Sequence, residues 1–406
     1  MSDQLRRCAR RPWVLTDSKC HIGDRDNTTT AHGVTSQGRD VKVTFELANP
    51  PAVSRCFVHC PDMAESRYGG DPEVVSSADA FVLLVVPFTD RYGGREHSDF
   101  FVYRAGPGAP SLHLLRRTAH PDYITLAGVV PLGGTDLNSK DYIVVFPRCN
   151  SYCTSLDVYR SDISGWPWRN QVVSIAKHTA KCHNHELTMR HQDTRVIFTG
   201  NGTLGWVNHL HGILLCNVLD HGPAMHFIQL PVPVPCNLVS RFGTGVDNIS
   251  KRLFRDVAIS NGVIRFVELK SCRPCDSRNE KGVIGQGWMT TTWNREICSK
   301  KWHKRFTVKA DDMPVTGSSY PNLSGDKRLS WDKVVHCAPT LSLCDDDVVH
   351  IVARLDIRPA VAWMLAINTR EGTLEAVKQC SAEKMLGLEP TYVRCALSDY
   401  LKQRRR

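Results

Sequence analysis

The sequence predicts an all-β fold, a β-propeller-like array of about six blades with three to four antiparallel strands each and few short helices. Three observations predict it. Short runs alternate polar with β-branched or aromatic residues, as KVTFEL does at 42–47. Turn signals recur along the chain, centred near Ala48, Pro107, Ser164 and His221 at roughly 57-residue spacing, then near Cys298 and Arg370 with wider gaps. Strand-like runs continue from Trp13 to Leu397 without a Pro/Gly/Ser linker. Four antiparallel strands repeated radially leave only short edges, which is the economy of a propeller. A pair of β-sandwiches is the alternative built from the same parts.

The runs group into units. Residues 74–115 contain EVVSSA, AFVLLVV, FFVYR and SLHLL, and 124–175 contain ITLAGVV, DYIVVF, LDVYR and NQVVSI. Residues 195–230 contain RVIF, LGWVN, GILLCNV and MHFIQL. Within 256–269, Asn261-Gly262 separates two alternating apolar runs, the strongest short-range hairpin signal. Residues 106–110 and 366–377 read as two further hairpins, the latter turning near Glu371-Gly372. A Gly-, Cys- and charge-rich insertion at 270–287 widens the fifth unit, and 307–333 reads as a long irregular connection. Residues 391–397, TYVRCAL, are expected to complete a blade begun by Trp13, Val14 and Leu15, because closure removes free edges. Residues 381–387, capped by Ser381, are one of the few helix candidates. The expected organisation is a flexible basic N-terminus at 1–12, one propeller-like domain at 13–401 and a basic tail at 402–406.

Composition narrows the class. With 42% hydrophobic and 23% charged residues, the chain is an ordinary globular sequence. Its apolar runs are far shorter than the ~20 residues of a membrane-spanning helix, so no membrane partner is expected. No apolar segment follows the N-terminal arginines, which points to the cytosol or nucleus. In such a compartment the 16 cysteines are expected to be reduced, with Cys56, Cys216, Cys337 and Cys395 acting as small core residues. Trp166, Trp168, Trp206, Trp293, Trp302 and Trp363 are expected to pack between blades.

Candidate chemistry is sparse. Cys272-Arg273-Pro274-Cys275, with Cys298 and His303 downstream, supplies zinc-type ligands, but a second paired knuckle is missing. A plain loop with exposed thiols is the simpler reading, and no cofactor is expected. His178, Cys182, His183, His185 and His191 read as a solvated loop, and His209 and His211 as residues bracketing a turn. Asp345, Asp346 and Asp347 read as a solvated strand entry, because adjacent residues in extended chain face opposite ways. No Gly-x-Ser-x-Gly elbow, His-Glu-x-x-His pair or Gly-x-x-x-x-Gly-Lys loop occurs, so no enzyme activity is expected. The net charge is +10, and Lys300, Lys301, Trp302, Lys304 and Arg305 form a basic cluster around an aromatic ring. That pattern is compatible with RNA or DNA stacking on a basic face, set against one buried ring on a solvated strand.

A family resemblance lies in particular residues. Leu204-Gly205-Trp206-Val207-Asn208, the run His211 to Leu219, and Phe227-Ile228-Gln229-Leu230-Pro231-Val232-Pro233 resemble the signature of DUF1618, a plant family of unknown function expanded in grasses. Pro50 to Arg55, Phe101-Val102-Tyr103, Thr291-Thr292-Trp293 and Tyr392 to Leu401 agree, and the most specific block is about 204–340. The resemblance implies no established activity, catalytic residue or cofactor. It does imply kinship with plant propeller domains that follow F-boxes, which bears on fold alone. Strand-like sequence begins at Trp13, where an F-box would need a preceding Leu- and Pro-rich helical module, so no F-box module is expected. Together these observations suggest a non-enzymatic scaffold with a protein partner. A nucleic-acid-associated protein and a zinc protein using Cys272 and Cys275 are the alternatives.

Overall fold

The computed structural model describes residues 13–89, 97–106, 108–116, 126–133, 139–149, 153–176, 179, 194–233, 250–271, 287–313, 334–354, 361–381 and 392–397. Among the described residues the named elements are β-strands and three short 3-10 turns. The chain forms six successive sheets of four to six strands, the blades of a six-bladed β-propeller. Blade 1 holds β1 (Val14–Asp17), β2 (His21–Ile22), β3 (Ala31–Val34), β4 (Asp40–Glu46) and β5 (Val53–His59). Blade 2 is β6 (Glu73–Ala78), β7 (Phe81–Phe88), β8 (His97–Arg104) and β9 (Ser111–Leu115). Blade 3 is β10 (Gly128–Pro131), β11 (Tyr142–Cys149), β12 (Cys153–Arg160) and β13 (Trp168–Val172). Blade 4 is β14 (Ser174–Ile175), β15 (Arg195–Gly200), β16 (Thr203–Asn208), β17 (Gly212–Asn217) and β18 (Ala224–Gln229). Blade 5 is β19 (Arg255–Ser260), β20 (Val263–Ser271), β21 (Trp288–Glu296) and β22 (His303–Lys309). Blade 6 is β23 (Val335–Leu341), β24 (Val348–Arg354), β25 (Val361–Asn368) and β26 (Thr373–Ser381), and β27 (Tyr392–Cys395) ends the described chain.

Blades 2, 3, 5 and 6 are plain antiparallel meanders. The six turn centres read from the sequence each fall in the last hairpin of a blade's meander, between β4 and β5 in blade 1 and between third and fourth meander strands elsewhere. Asn261 and Gly262 both have positive φ, 51° and 73°, which the tight turn between β19 and β20 requires. Residues 272–286, the body of the predicted insertion, fall between β20 and β21, whose pairing runs out to Ser271↔Trp288. Residues 307–309 belong to β22 rather than to an irregular connection, and 314–333 lie outside the described residues. The helix candidate after Ser381 also lies outside them, Ser381 itself being the last residue of β26.

Two compact units are present. The larger takes in the blades within 9–228 and the C-terminal strand. In it, β27 pairs antiparallel with β1, from Val14↔Cys395 to Asp17↔Tyr392, while β1 also pairs parallel with β5. The two ends of the chain therefore complete blade 1, as the apolar character of both segments predicts. Strands β6, β10 and β15 of blades 2, 3 and 4 lie against one another, and β27 lies against β6. Trp206 is fully buried and its indole N–H donates to the Leu126 carbonyl at 2.9 Å, tying blade 4 to the segment before β10. Phe100, Phe146, Tyr142, Tyr159 and Trp168 make a continuous aromatic contact between blades 2 and 3. Trp166 does not pack between blades: it is 72% exposed in the bend before β13, where Gly165 at φ 92° swings the chain outward.

Gly212 begins β17 under tight constraint. A Cβ there would lie 2.4 Å from the Ile228 carbonyl oxygen and 2.5 Å from the Phe227 ring. The oxygen is backbone and can move only with its strand. Gly212→Ala should therefore cost about 1–3 kcal/mol, read as a lower urea midpoint at unchanged slope.

The smaller unit, within 229–390, holds blades 5 and 6. Asp256 Oδ2 accepts from the Leu341 N–H at 2.8 Å, and Arg265 Nη2 donates to the Ser342 carbonyl at 2.6 Å. Two of the unit's histidines are withdrawn from solvent, His350 buried on β24 and His336 half-buried against Trp288. Burial pulls His336 down to about 3 and His350 down to about 4, each partly offset by a hydrogen bond to backbone. The unfolded chain, with histidine near 6.5, takes up protons that the folded core refuses. Stability should therefore fall as pH drops below about 6.5, by up to about 1.4 kcal/mol per unit and per histidine. Thermal melts between roughly pH 7 and pH 5 should show the decline, and His350→Gln should reduce it by about half, leaving the His336 contribution.

Candidate interaction surface

β22 is the outer strand of blade 5, paired only with β21. Its sequence, HKRFTVK, alternates only in its last residues, where Val308 turns to the core and Thr307 and Lys309 to solvent. At Arg305-Phe306 the register slips, so that two residues of β22 stand opposite Thr292 of β21. The Phe306 N–H donates to the Thr292 hydroxyl at 3.3 Å across that bulge. Lys300, Lys301, His303, Lys304, Arg305 and Lys309 are all exposed. Among the described residues none of these six has an ion-pair partner.

The rings of the strip are engaged. Trp302 is half-buried; its indole N–H donates to the Gln229 carbonyl at 2.9 Å, and it meets Phe266 edge-on. The Arg295 guanidinium lies 6.0 Å from the Trp302 ring centre, and burial lowers its pKa. Phe306 has two cation–π partners, Arg305 and Arg370, whose guanidinium carbons are 5.1 and 5.6 Å from its ring centre. Arg370 is in turn held by Asp347 at 2.6 Å.

Beneath the strip lies a buried ion pair. Arg255 and Glu268 are each 1% exposed in their side chains. Arg255 Nε and Nη2 both donate to Glu268 Oε1, at 3.0 and 2.6 Å, and Nη2 reaches the Val232 and Pro233 carbonyls. Lys270 Nζ meets the other Glu268 oxygen at 2.8 Å. Burial draws the Arg255 guanidinium below its usual value and Glu268 opposes the shift. The pair ties β19 to β20 and to the Val232-Pro233 backbone, with both its side chains closed to solvent.

The other sequence candidates are placed as follows. Cys272 and Cys275 lie outside the described residues, as do His178, Cys182, His183, His185 and His191. Cys298 and His303 are both exposed and flank the turn between β21 and β22. Among the described residues no group of three His, Cys, Asp or Glu side chains is arranged to hold a metal ion. His209 is buried and His211 half-buried, at a turn whose N–H groups at Leu210 and His211 are capped by Asn208 Oδ1. The acidic run is spent on structure: Asp346 meets Arg265 at 3.1 Å, Asp347 holds Arg370, and Asp345 Oδ1 accepts from the Asp347 N–H. Cys56, Cys216, Cys337 and Cys395 are buried free thiols. Burial pushes Cys216 and Cys337 up to about 12 and Cys395 up to about 11, which keeps them protonated and unreactive. The sequence pattern picks out Lys300, Lys301, Trp302, Lys304 and Arg305 but not Phe306 or Arg370. Phe306 inside a basic run was the available signal.

Six meander sheets in succession, with the terminal strand completing the first, put the chain in the class of six-bladed β-propellers. Residues 206–350 match the family model described as "Protein of unknown function (DUF1618)", so the chain carries the region that its sequence resembles. The match runs from Trp206 in β16 to His350 in β24, about a third of the chain. No curated protein matches the chain. Among solved structures, AofleA from Arthrobotrys oligospora aligns at 9% identity and TM-score 0.35, over 95% of this chain and 90% of that one. Sqt1 from Saccharomyces cerevisiae aligns at 11% identity and TM-score 0.34, over 91% and 88%. The β-propeller domain of the Trilobed protease from Pyrococcus furiosus aligns at 9% and 0.28, over 77% and 99%. The fold assignment rests on the strand pairing described above and not on these likenesses. No helix among the described residues is long and apolar enough to cross a membrane.

Proposed function

We propose that this protein is a non-enzymatic interaction scaffold that binds a protein partner in the cytosol or nucleus of a plant cell. The observation that carries the reading is the exposed basic run along β22 and the turn before it, six side chains without ion-pair partners among the described residues. Such a surface, mounted on a strand backed by packed sheet, suits recognition better than a reactive pocket does. Buried, protonated thiols and an acidic run engaged in structural ion pairs also favour binding over chemistry. Affinity purification with cross-linking from plant tissue tests it. Reproducible recovery of a specific protein partner is expected; repeated recovery of none counts against the scaffold reading. A fluorescent fusion that entered the secretory pathway would contradict the compartment.

A zinc reading retains one observation, that Cys298 and His303 flank a single turn. Metal analysis of protein purified without chelator decides it. Zinc near stoichiometric that falls on Cys298→Ser supports a site; zinc near zero in both proteins disposes of it.

A further inference from the structure

We infer that the outer strand of blade 5 is the docking surface for an extended, Asp/Glu-rich protein segment, held by side-chain pairing with Lys300, Lys301, His303, Lys304, Arg305 and Lys309. This rests on the scaffold reading and deepens it by naming the site and the partner's chemistry. The competing explanation is protection of a sheet edge, which lysines and bulges commonly provide. The other outer strands decide between them. SLHLL in β9 has no Lys, Arg, Asp or Glu, WRNQV in β13 has Arg169 alone, and TLEAVKQCS in β26 balances Lys378 with Glu375. Edges of the same frame are thus tolerated with little charge, so protection alone does not require the three cations of β22, Lys304, Arg305 and Lys309, with Lys300 and Lys301 just before them. Elsewhere Arg25, Arg148 and Arg370 are exposed and paired, with Glu46, Asp157 and Asp347, while Arg55, Arg169 and Lys378 stand singly without ion-pair partners among the described residues, so it is the clustering that sets this strip apart. The cations of β22 and its preceding turn are left for a partner.

The partner's nature follows from three details. The bulge at Arg305-Phe306 breaks the edge as a continuous hydrogen-bonding template, so recognition runs through side chains rather than strand addition. Nucleic-acid strands bind through bare aromatic faces as well as charge. Here Trp302 is committed to Gln229, Phe266 and Arg295, and Phe306 is engaged by two guanidinium groups. Carboxylates, which need cations and not rings, are the better match. Exposed acids close the strip at both ends, Glu296 before it and Asp311 and Asp312 after it. An acidic segment is therefore repelled on either side of Lys300 to Lys309, which limits the match to about that ten-residue span.

The test uses the full chain and two fluorescent probes, a short alternating Asp/Glu peptide and a uridylate oligonucleotide, followed by anisotropy at roughly 50 and 200 mM salt. One variant combines Lys300→Glu, Lys301→Glu, Lys304→Glu and Arg305→Glu. A control combines Arg169→Glu and Lys378→Glu on other outer strands. Melting temperatures establish that both fold; should the first not, Lys304→Gln with Lys309→Gln replaces it. The peptide is expected to bind the native chain at low salt, to weaken about tenfold or more in the strip variant, and to weaken little in the control. Bound peptide should also slow alkylation of the exposed Cys298, read by mass spectrometry. Absence of peptide binding at low salt, equal loss in both variants, or tighter oligonucleotide binding through the same residues overturns the inference. A partner captured from tissue that the strip variant still retains sinks this inference alone, whereas failure to capture any partner sinks the scaffold reading beneath it.

Discussion

Deleting residues 391–406 is expected to unfold most of the protein or drive it to aggregate. β27 supplies Tyr392, Cys395 and, just beyond it, Leu397, all buried, to the core of the larger unit. At roughly 25 cal/mol per Å², burying such side chains is worth about 1.5–3 kcal/mol each for the larger ones. Removing them also uncovers β1, whose four residues are all buried, and leaves its hydrogen-bonding edge open. The combined loss, about 5 kcal/mol or more, is a large share of a net stability of about 5–15 kcal/mol. Removing only Arg404 to Arg406 leaves β27 intact and should change the melting temperature little. A 391–406 deletion that stayed soluble and monomeric with an unchanged melting temperature would mean that the chain's ends do not complete blade 1, and two independent sandwich domains would then be the better description.

The second large effect is expected at Glu268→Ala. The substitution strands the Arg255 guanidinium with its remaining carbonyl partners and no carboxylate, in a site with 1% side-chain exposure. Losing one member of a buried pair costs about 3–5 kcal/mol, mostly the penalty of the uncompensated charge. Replacing both members, Arg255→Met with Glu268→Leu, should recover much of that loss, because the desolvation of both charges is then avoided. Urea unfolding of the single and double variants measures the difference. If Glu268→Ala proves nearly neutral, water reaches the pair and the packing around Phe266 is looser than described.

The fold was largely legible because its signals are local. The runs read between 74 and 115 are the four strands of blade 2, and Asn261-Gly262 is the turn between β19 and β20. The pairing of β27 with β1 spans the chain, yet it was readable from two apolar segments that needed a partner. What escaped depends on which way a side chain leaves its strand. Trp166 and Trp206 look alike as tryptophans beside strand-like runs, but one stands in an outward bend and the other mid-strand against Leu126. The basic cluster was visible as composition. Its lack of ion-pair partners was not, because pairing across a sheet depends on register, and the bulge at Arg305-Phe306 resets that register. The buried pair of Arg255 and Glu268 was hidden for the same reason: the residues are cross-strand neighbours only once β19 and β20 fold back on each other.

The larger unit depends on its terminal strand being paired. Hydrogen exchange of the backbone amides of β27, measured on the full chain, tests that most directly. Pairing with β1 should protect amides within Tyr392–Cys395 to an extent comparable with the central strands of blade 2, because opening them requires opening blade 1. Exchange at the rate of an unstructured peptide throughout that segment, beside protected strands elsewhere, would contradict the account.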